Sequence, residues 1–211
     1  MQHLKKFLFV CILFLYKESY AQKDIADTIN NTPRVSLQDS IAGLRINLNK
    51  THMLILGAWA GVNIVQGSIS ASNLTGKDHY FHQMNVYWNT FNLALAGMGL
   101  WTAKKQLSRH FTFGDNIREQ QKIEKILLLN IGLDAAYITT GLYLKDRGLR
   151  LDRDQPQGYG NSLLLQGGFL LIFDIIQYTA HRKNGKFLEQ ALGNWQVGPV
   201  GAGLGISYQV K

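Results

Sequence analysis

Two acids stand inside otherwise uncharged sequence: Asp134 within Ile126–Leu144, and Asp174 within Gln155–His181. Near them, and in two further stretches without charge, Thr51–Gly76 and His79–Ala103, the residues Asn63, Asn85, Asn89, Asn92, Asn130 and Gln177 recur at helical spacing. Carboxyls and amides in such surroundings do one of two things. They join helices, each interhelical hydrogen bond being worth on the order of 0.5–2 kcal/mol where lipid offers no other partner. Or they handle a proton, ion or polar solute, because a charged carboxylate near mid-bilayer costs on the order of 3 kcal/mol and is kept there for use. Two close carboxyls in low dielectric share a proton, which suits proton-coupled binding. The joining role is the simpler reading, since packed spans need polar seams with or without a ligand.

Other chemistries find less support. His52, His110 and His181 share one side of the expected bundle and His79 and His82 the other, all at span ends or in loops, where histidines anchor at headgroups rather than ligate haem or metal. There is no His-Glu-x-x-His, no local Ser, His and acid motif, and Gly198, Gly201, Gly203 and Gly205 do not form a phosphate loop before a helix. Cys11, the single cysteine, falls in the first twenty-one residues, so the processed chain has no thiol for disulfides, catalysis or ligation. No cofactor is expected.

The elements that hold these groups follow from the missing charge. A soluble helix as long as these stretches needs a charged outer face, so hydrocarbon is the solvent they fit. Span one runs from about His52 to Ser70, with Trp59, Asn63, Gln66 and Ser70 on one side and Gly57-x-x-x-Gly61 allowing close approach of a neighbour. Span two covers about Phe81–Ala103. Its His82, Asn85, Asn89, Asn92, Ala96, Gly99 and Ala103 alternate in steps of three and four as a polar and small stripe that faces protein. Span three, capped by Asp115, carries Asn130, Asp134, Tyr137 and Gly141 on one side, and Lys145–Gly160 reads as a charged loop. Span four, about Asn161–His181, aligns Gly167, Leu170, Asp174, Gln177 and His181. Counted from one membrane face at about 1.5 Å per residue, Asn63, Asn92, Asp134 and Asp174 sit roughly 10–17 Å deep, near one layer of an antiparallel bundle.

Residues 1–21 resemble an export signal: Lys5 and Lys6, the apolar run Phe7–Tyr16, and a small-x-small site ending at Ala21, after which cleavage is expected. Residues 22–50 read as a polar segment with a short amphipathic helix, capped by Ser36 and Asp39, whose Leu37, Ile41, Leu44 and Leu48 lie on the membrane surface. After the span region 51–183, the tail 184–211 has a brief interfacial helix at Phe187–Leu192, a loose Gly193–Gly203 and one strand at Leu204–Val210. A single strand cannot close a barrel.

The net charge of +8 does not point to nucleic acid, because its basic residues gather in connectors such as Lys104–Lys125, where they meet lipid headgroups. Orientation stays open. Export of Gln22 to the outer side would leave fourteen Lys or Arg outside the membrane and five inside, against the positive-inside tendency. Span two, with three asparagines, is the segment whose crossing is most open to question.

The phrases Gly57-Ala58-Trp59-Ala60-Gly61-Val62-Asn63-Ile64 and Tyr80-Phe81-His82-Gln83-Met84-Asn85-Val86-Tyr87-Trp88-Asn89 resemble a family of uncharacterised small multi-pass membrane proteins found mainly in Bacteroidota. The resemblance implies a bacterial inner-membrane location and assigns no reaction. The expectation is therefore an all-α, integral membrane four-helix bundle with short interfacial helices and a Gly-rich C-terminal tail. Its partners are the lipid bilayer and a second copy or another membrane protein, in a non-enzymatic assembly role. The rival is a small proton- or ion-coupled transporter or channel subunit using Asp134 and Asp174.

Overall fold

The computed structural model describes residues 34–193, 195–200 and 203–208, with side chains over 39–186 and at 188. The export signal, its cleavage site and the polar stretch 22–33 lie outside the described residues, as does the side chain of Ser36. Four long helices follow one another: α1 (Arg34–Asn73), α2 (Gly76–Leu107), α3 (Phe113–Arg150) and α4 (Asp154–Gly193). A hairpin closes the described chain, with β1 (Trp195–Val200) antiparallel to β2 (Gly203–Tyr208) and Trp195 opposite Tyr208.

Each helix is longer than its apolar segment, and this corrects several expectations. The separate surface helix before span one does not exist. Ile41, Ala42 and Ile46 continue the stripe that leads to Leu56 and Ala60 and are buried, Ala42 and Ile46 against Ala103 and Phe111, instead of lying on a membrane surface. The interfacial helix at Phe187–Leu192 is the last part of α4, and the single strand expected at Leu204–Val210 is half of the hairpin. The charged loop at Lys145–Gly160 is mostly helix, with only residues 151–153 as connector. Pro156 falls in the first turn of α4, where its missing N–H leaves no helical bond unmade. The charges that suggested a loop include an exposed pair one helical turn apart, Asp146 and Arg150, 2.7 Å apart.

The termini explain where the helices stop. Gly76, at φ 62°, takes the left-handed turn from α1 into α2. At the start of α3 the N-cap is Thr112, not Asp115. Thr112 Oγ1 accepts from the Asp115 amide at 3.2 Å while the Asp115 carboxylate accepts from the Thr112 amide at 3.2 Å, a reciprocal capping box.

Helix α1 packs along α2, α3 along α4, and α2 meets α4, so the bundle is two helix hairpins joined through their second members. Close approach is made by glycine. A Cβ on Gly160 would stand 2.5 Å from the Lys145 amide nitrogen and 2.6 Å from the Gly141 carbonyl oxygen, so α4 lies directly on the backbone of α3. Between α1 and α2 the close contact is at Gly67, beneath Val86 and the His82 carbonyl. The expected pair does less: Gly57 has only ordinary contact with Ala96, and Gly61 has none.

The interior and exterior are reversed relative to a water-soluble bundle. Among the described residues the fully buried side chains are polar as often as apolar, whereas Val62 (67% exposed), Phe91 (65%) and Leu129 (63%) face outward. In water, apolar surface of that extent would be driven together. Three helical segments, Asp39–Asn73, Phe113–Arg150 and Asp154–Lys186, are long and apolar enough to cross a membrane. Helix α2 falls short of that composition because of its asparagine stripe, yet the stripe is turned inward, with Asn85, Asn89, Asn92, Ala96 and Ala103 all buried.

Candidate functional site

The buried polar groups sort into three levels along the bundle. The first is a closed amide network. Asn85 Oδ1 accepts from Ser162 Oγ at 2.7 Å and from Gln166 Nε2 at 3.0 Å. Gln166 Oε1 accepts from Trp59 Nε1 at 3.0 Å, and its amide also points to Asn63 Oδ1 at 3.4 Å. The Trp59 ring stacks on Phe169, with centroids 3.9 Å apart and planes 7° from parallel, and this holds the indole N–H on its acceptor. The level thus fastens α1, α2 and α4 to one another.

The second level holds the acids. Asp134 on α3 and Asp174 on α4 are neighbours across the helix contact, with Asn130 beside Asp174. Gln177 Nε2 points to Asp174 Oδ1 at 3.4 Å. Asp134 Oδ2 is buried without a partner, and the same holds for Asn92 Nδ2 and Asn89 Oδ1 on α2. The Asn89 amide donates to the Asn85 carbonyl of its own helix at 2.9 Å.

The expected single layer is therefore divided. Asn63 belongs with Gln166, eight residues along α4 from Asp174, or about 12 Å at helical rise. It also turns its amide onto the Trp59 carbonyl of its own helix, at 2.8 Å. Gln66, expected on the inner side of α1, is exposed.

The third level was absent from the sequence-based picture. His52 and His181, expected as headgroup anchors outside the bundle, are buried within it, their ring centroids 5.8 Å apart, with Phe173 set edge-on to His52. Arg45, one heptad before His52, is also buried, its Nη1 donating to Asn116 Oδ1 at 2.9 Å and its guanidinium 4.7 Å from the centre of the Phe111 ring. Gln120 and Asn184 complete this end, Asn184 Nδ2 donating to Gln120 Oε1 at 3.0 Å. Among the described residues no group of three or more His, Cys, Asp or Glu is placed to hold a metal ion.

A family model described as a family of unknown function, DUF6992, matches residues 55–175. That segment contains the whole amide level and both acids, and it leaves out Arg45, His52 and His181. No curated protein and no solved structure matches the chain.

Proposed function

The chain belongs to the DUF6992 family, whose function is unknown, and we propose from its geometry a bacterial inner-membrane, multi-pass protein that binds and releases a proton at the Asp134–Asp174 pair as part of a small proton- or ion-coupled transporter or channel. The observation that carries this reading is the contrast between two neighbouring levels. The amide level is closed, each of its members hydrogen-bonded, and so has a complete structural explanation. The acid level is not: it keeps a buried carboxyl oxygen and two amide atoms without partners, which is costly unless a proton, water or ion uses them.

All four helices cross in this proposal. Helix α2 lies between α1 and α4 along their apolar lengths, so a bilayer around those two includes it, and the inward stripe explains its low hydropathy. An export signal removed after Ala21 completes the proposal.

A hydrophobic carbodiimide tests the pair without knowledge of a solute, because it reacts with protonated carboxyls in the apolar phase. The expected result is one adduct per chain at Asp134 or Asp174, diminishing as pH rises, with Asp134→Asn and Asp174→Asn each abolishing pH-driven flux in reconstituted vesicles. Labelling independent of pH, together with flux equal to wild type in both variants, removes the proposal.

Assembly keeps one specific observation in its favour. The inward stripes are used within the chain's own bundle, so they are not available to a partner. On the outer side of α3, however, Gly132, Ala136 and Thr140 are exposed at four-residue spacing, with nothing within 4 Å of a Cβ on Gly132. In a Cys11→Ser background, a cysteine at Ala136 is expected to form a disulfide-linked dimer in native membranes if α3 pairs with α3. A species that stays monomeric under oxidant removes this reading.

A further inference from the structure

The basic level at the end of the bundle has an unfilled acceptor requirement. Arg45 is 1% exposed, and of its guanidinium nitrogens only Nη1 is bonded, to the Asn116 side chain and, at 3.3 Å, to the Asn116 carbonyl. Nε and Nη2, the two nitrogens of its side-on edge, are buried with no partner. That edge is the planar, two-pronged face that matches a carboxylate or phosphate. No salt bridge of Arg45 occurs among the described residues. His181 is 0% exposed with both ring nitrogens unpartnered, and one turn further along α4 Asn184 Oδ1 is unpartnered as well. His52, one heptad along α1 from Arg45, has its ring beside that of His181.

A buried guanidinium without a counter-ion is among the most expensive arrangements a fold can hold, and breaking such a pair costs about 3–5 kcal/mol. Glu119 and Asp115 act on Arg45 through space, but neither forms an ion pair with it among the described residues. Asp115 is bound in the capping box and lies 3.6 Å from Arg109, and Glu124 is 3.4 Å from Arg182. Position supplies the rest. His52 and His181 bound the uncharged stretches of α1 and α4, and Arg45 stands two helical turns beyond His52, about 10 Å outward, at headgroup depth.

We propose that Arg45, His52 and His181 form a binding site for a phosphate group, with the Arg45 side-on edge gripping two of its oxygens and the imidazole N–H groups donating to a third. The chemistry fits the headgroup of an anionic phospholipid and also a free phosphate, and the site is independent of the acid pair. Native mass spectrometry of the full chain, extracted in mild detergent and exchanged against phosphatidylglycerol or phosphatidylcholine, separates the two sources.

For a lipid headgroup, one phosphatidylglycerol stays bound per chain, and Arg45→Gln weakens retention roughly tenfold. Arg45→Lys, which keeps the charge and loses the fork, restores it only in part. For a free ion, no lipid is retained, but inorganic phosphate raises the melting temperature of the wild type where equal chloride does not, and this rise is lost in His181→Gln. If Arg45→Gln does not fold, the wild-type comparison of phosphate with chloride and of the two lipids still decides. Absence of both lipid retention and phosphate-specific stabilisation in the wild type overturns the proposal.

Discussion

Gly158→Val is expected to prevent recovery of the folded bundle, the largest effect of any single substitution in the helical region. A Cβ at Gly158 would meet the Lys77 carbonyl oxygen and stand 2.7 Å from both the Phe81 amide nitrogen and Tyr80 Cβ. Two of these neighbours are backbone of α2, so no rotamer change relieves the clash, and α4 has to move off α2 at a cost on the order of 3 kcal/mol or more. The Tyr159 hydroxyl, which donates to Gln83 Oε1 at 3.0 Å in the same contact, would be displaced with it. The check is the monodisperse fraction after detergent extraction, with Gly168→Ala as the control. A Cβ at Gly168 meets nothing within 4 Å, so that variant should be neutral or more stable by up to about 1 kcal/mol. Equal behaviour of the two variants would show that α2 and α4 do not approach at Gly158.

Gln166→Leu should produce the second largest loss. One side chain accepts from Trp59 and donates toward Asn85 and Asn63, so its removal leaves groups on α1 and α2 without their partner on α4. At an average near 0.6 kcal/mol per interhelical bond the expected loss is on the order of 2 kcal/mol, seen as a lower melting temperature in detergent and a shifted Trp59 emission. Asn92→Leu is the instructive comparison. Its amide nitrogen has no partner to lose, so the change should be nearly neutral or stabilising. A melting curve for Gln166→Leu that overlays the wild type would mean that the amide level does not hold the three helices together.

How much of this was legible depended on how each helix announces its inner face. The α2 stripe was readable because its small and polar residues recur in steps of three and four; of its seven members Asn85, Asn89, Asn92, Ala96 and Ala103 are buried, and His82 and Gly99 half-buried. The meeting of Asp134 with Asp174 followed from depth counting, since both helices turn back within a few residues of the same end. Gln166 and Ser162 are hidden in the sequence by Gly167, which marks the neighbouring face of α4. The pattern Gln166, Leu170, Asp174, Gln177, His181 was the signal, for it extends the chosen side of α4 by one more turn.

Other features were hidden for physical reasons. Charge at Asp146, Arg147 and Arg150 disguised the end of α3 as a loop, although Asp146 pairs with Arg150 one turn along the continuing helix. Arg45 and His52 were unreadable as core residues because burial of a guanidinium depends on what the other helices bring to it. Asn116 and Phe111, which surround Arg45, lie more than sixty positions away in sequence. The hairpin at Trp195–Tyr208 was half seen, as Gly198 and Pro199 interrupt the period-two pattern of β1.

Helices α1, α3 and α4 pass the end of their uncharged stretches without a break, and at 38–40 residues they measure about 57–60 Å against a hydrocarbon thickness of about 30 Å. The connectors at residues 74–75 and 151–153 are short, so in the proposed membrane placement most of the excess lies on the opposite side as a stiff overhang. An unbroken α-helix transmits twist and tilt along its length. A load applied to that overhang, by a lipid headgroup or a docked protein, would therefore be felt as a rotation at the level of the two acids, some 20–30 Å away through continuous rods rather than hinges.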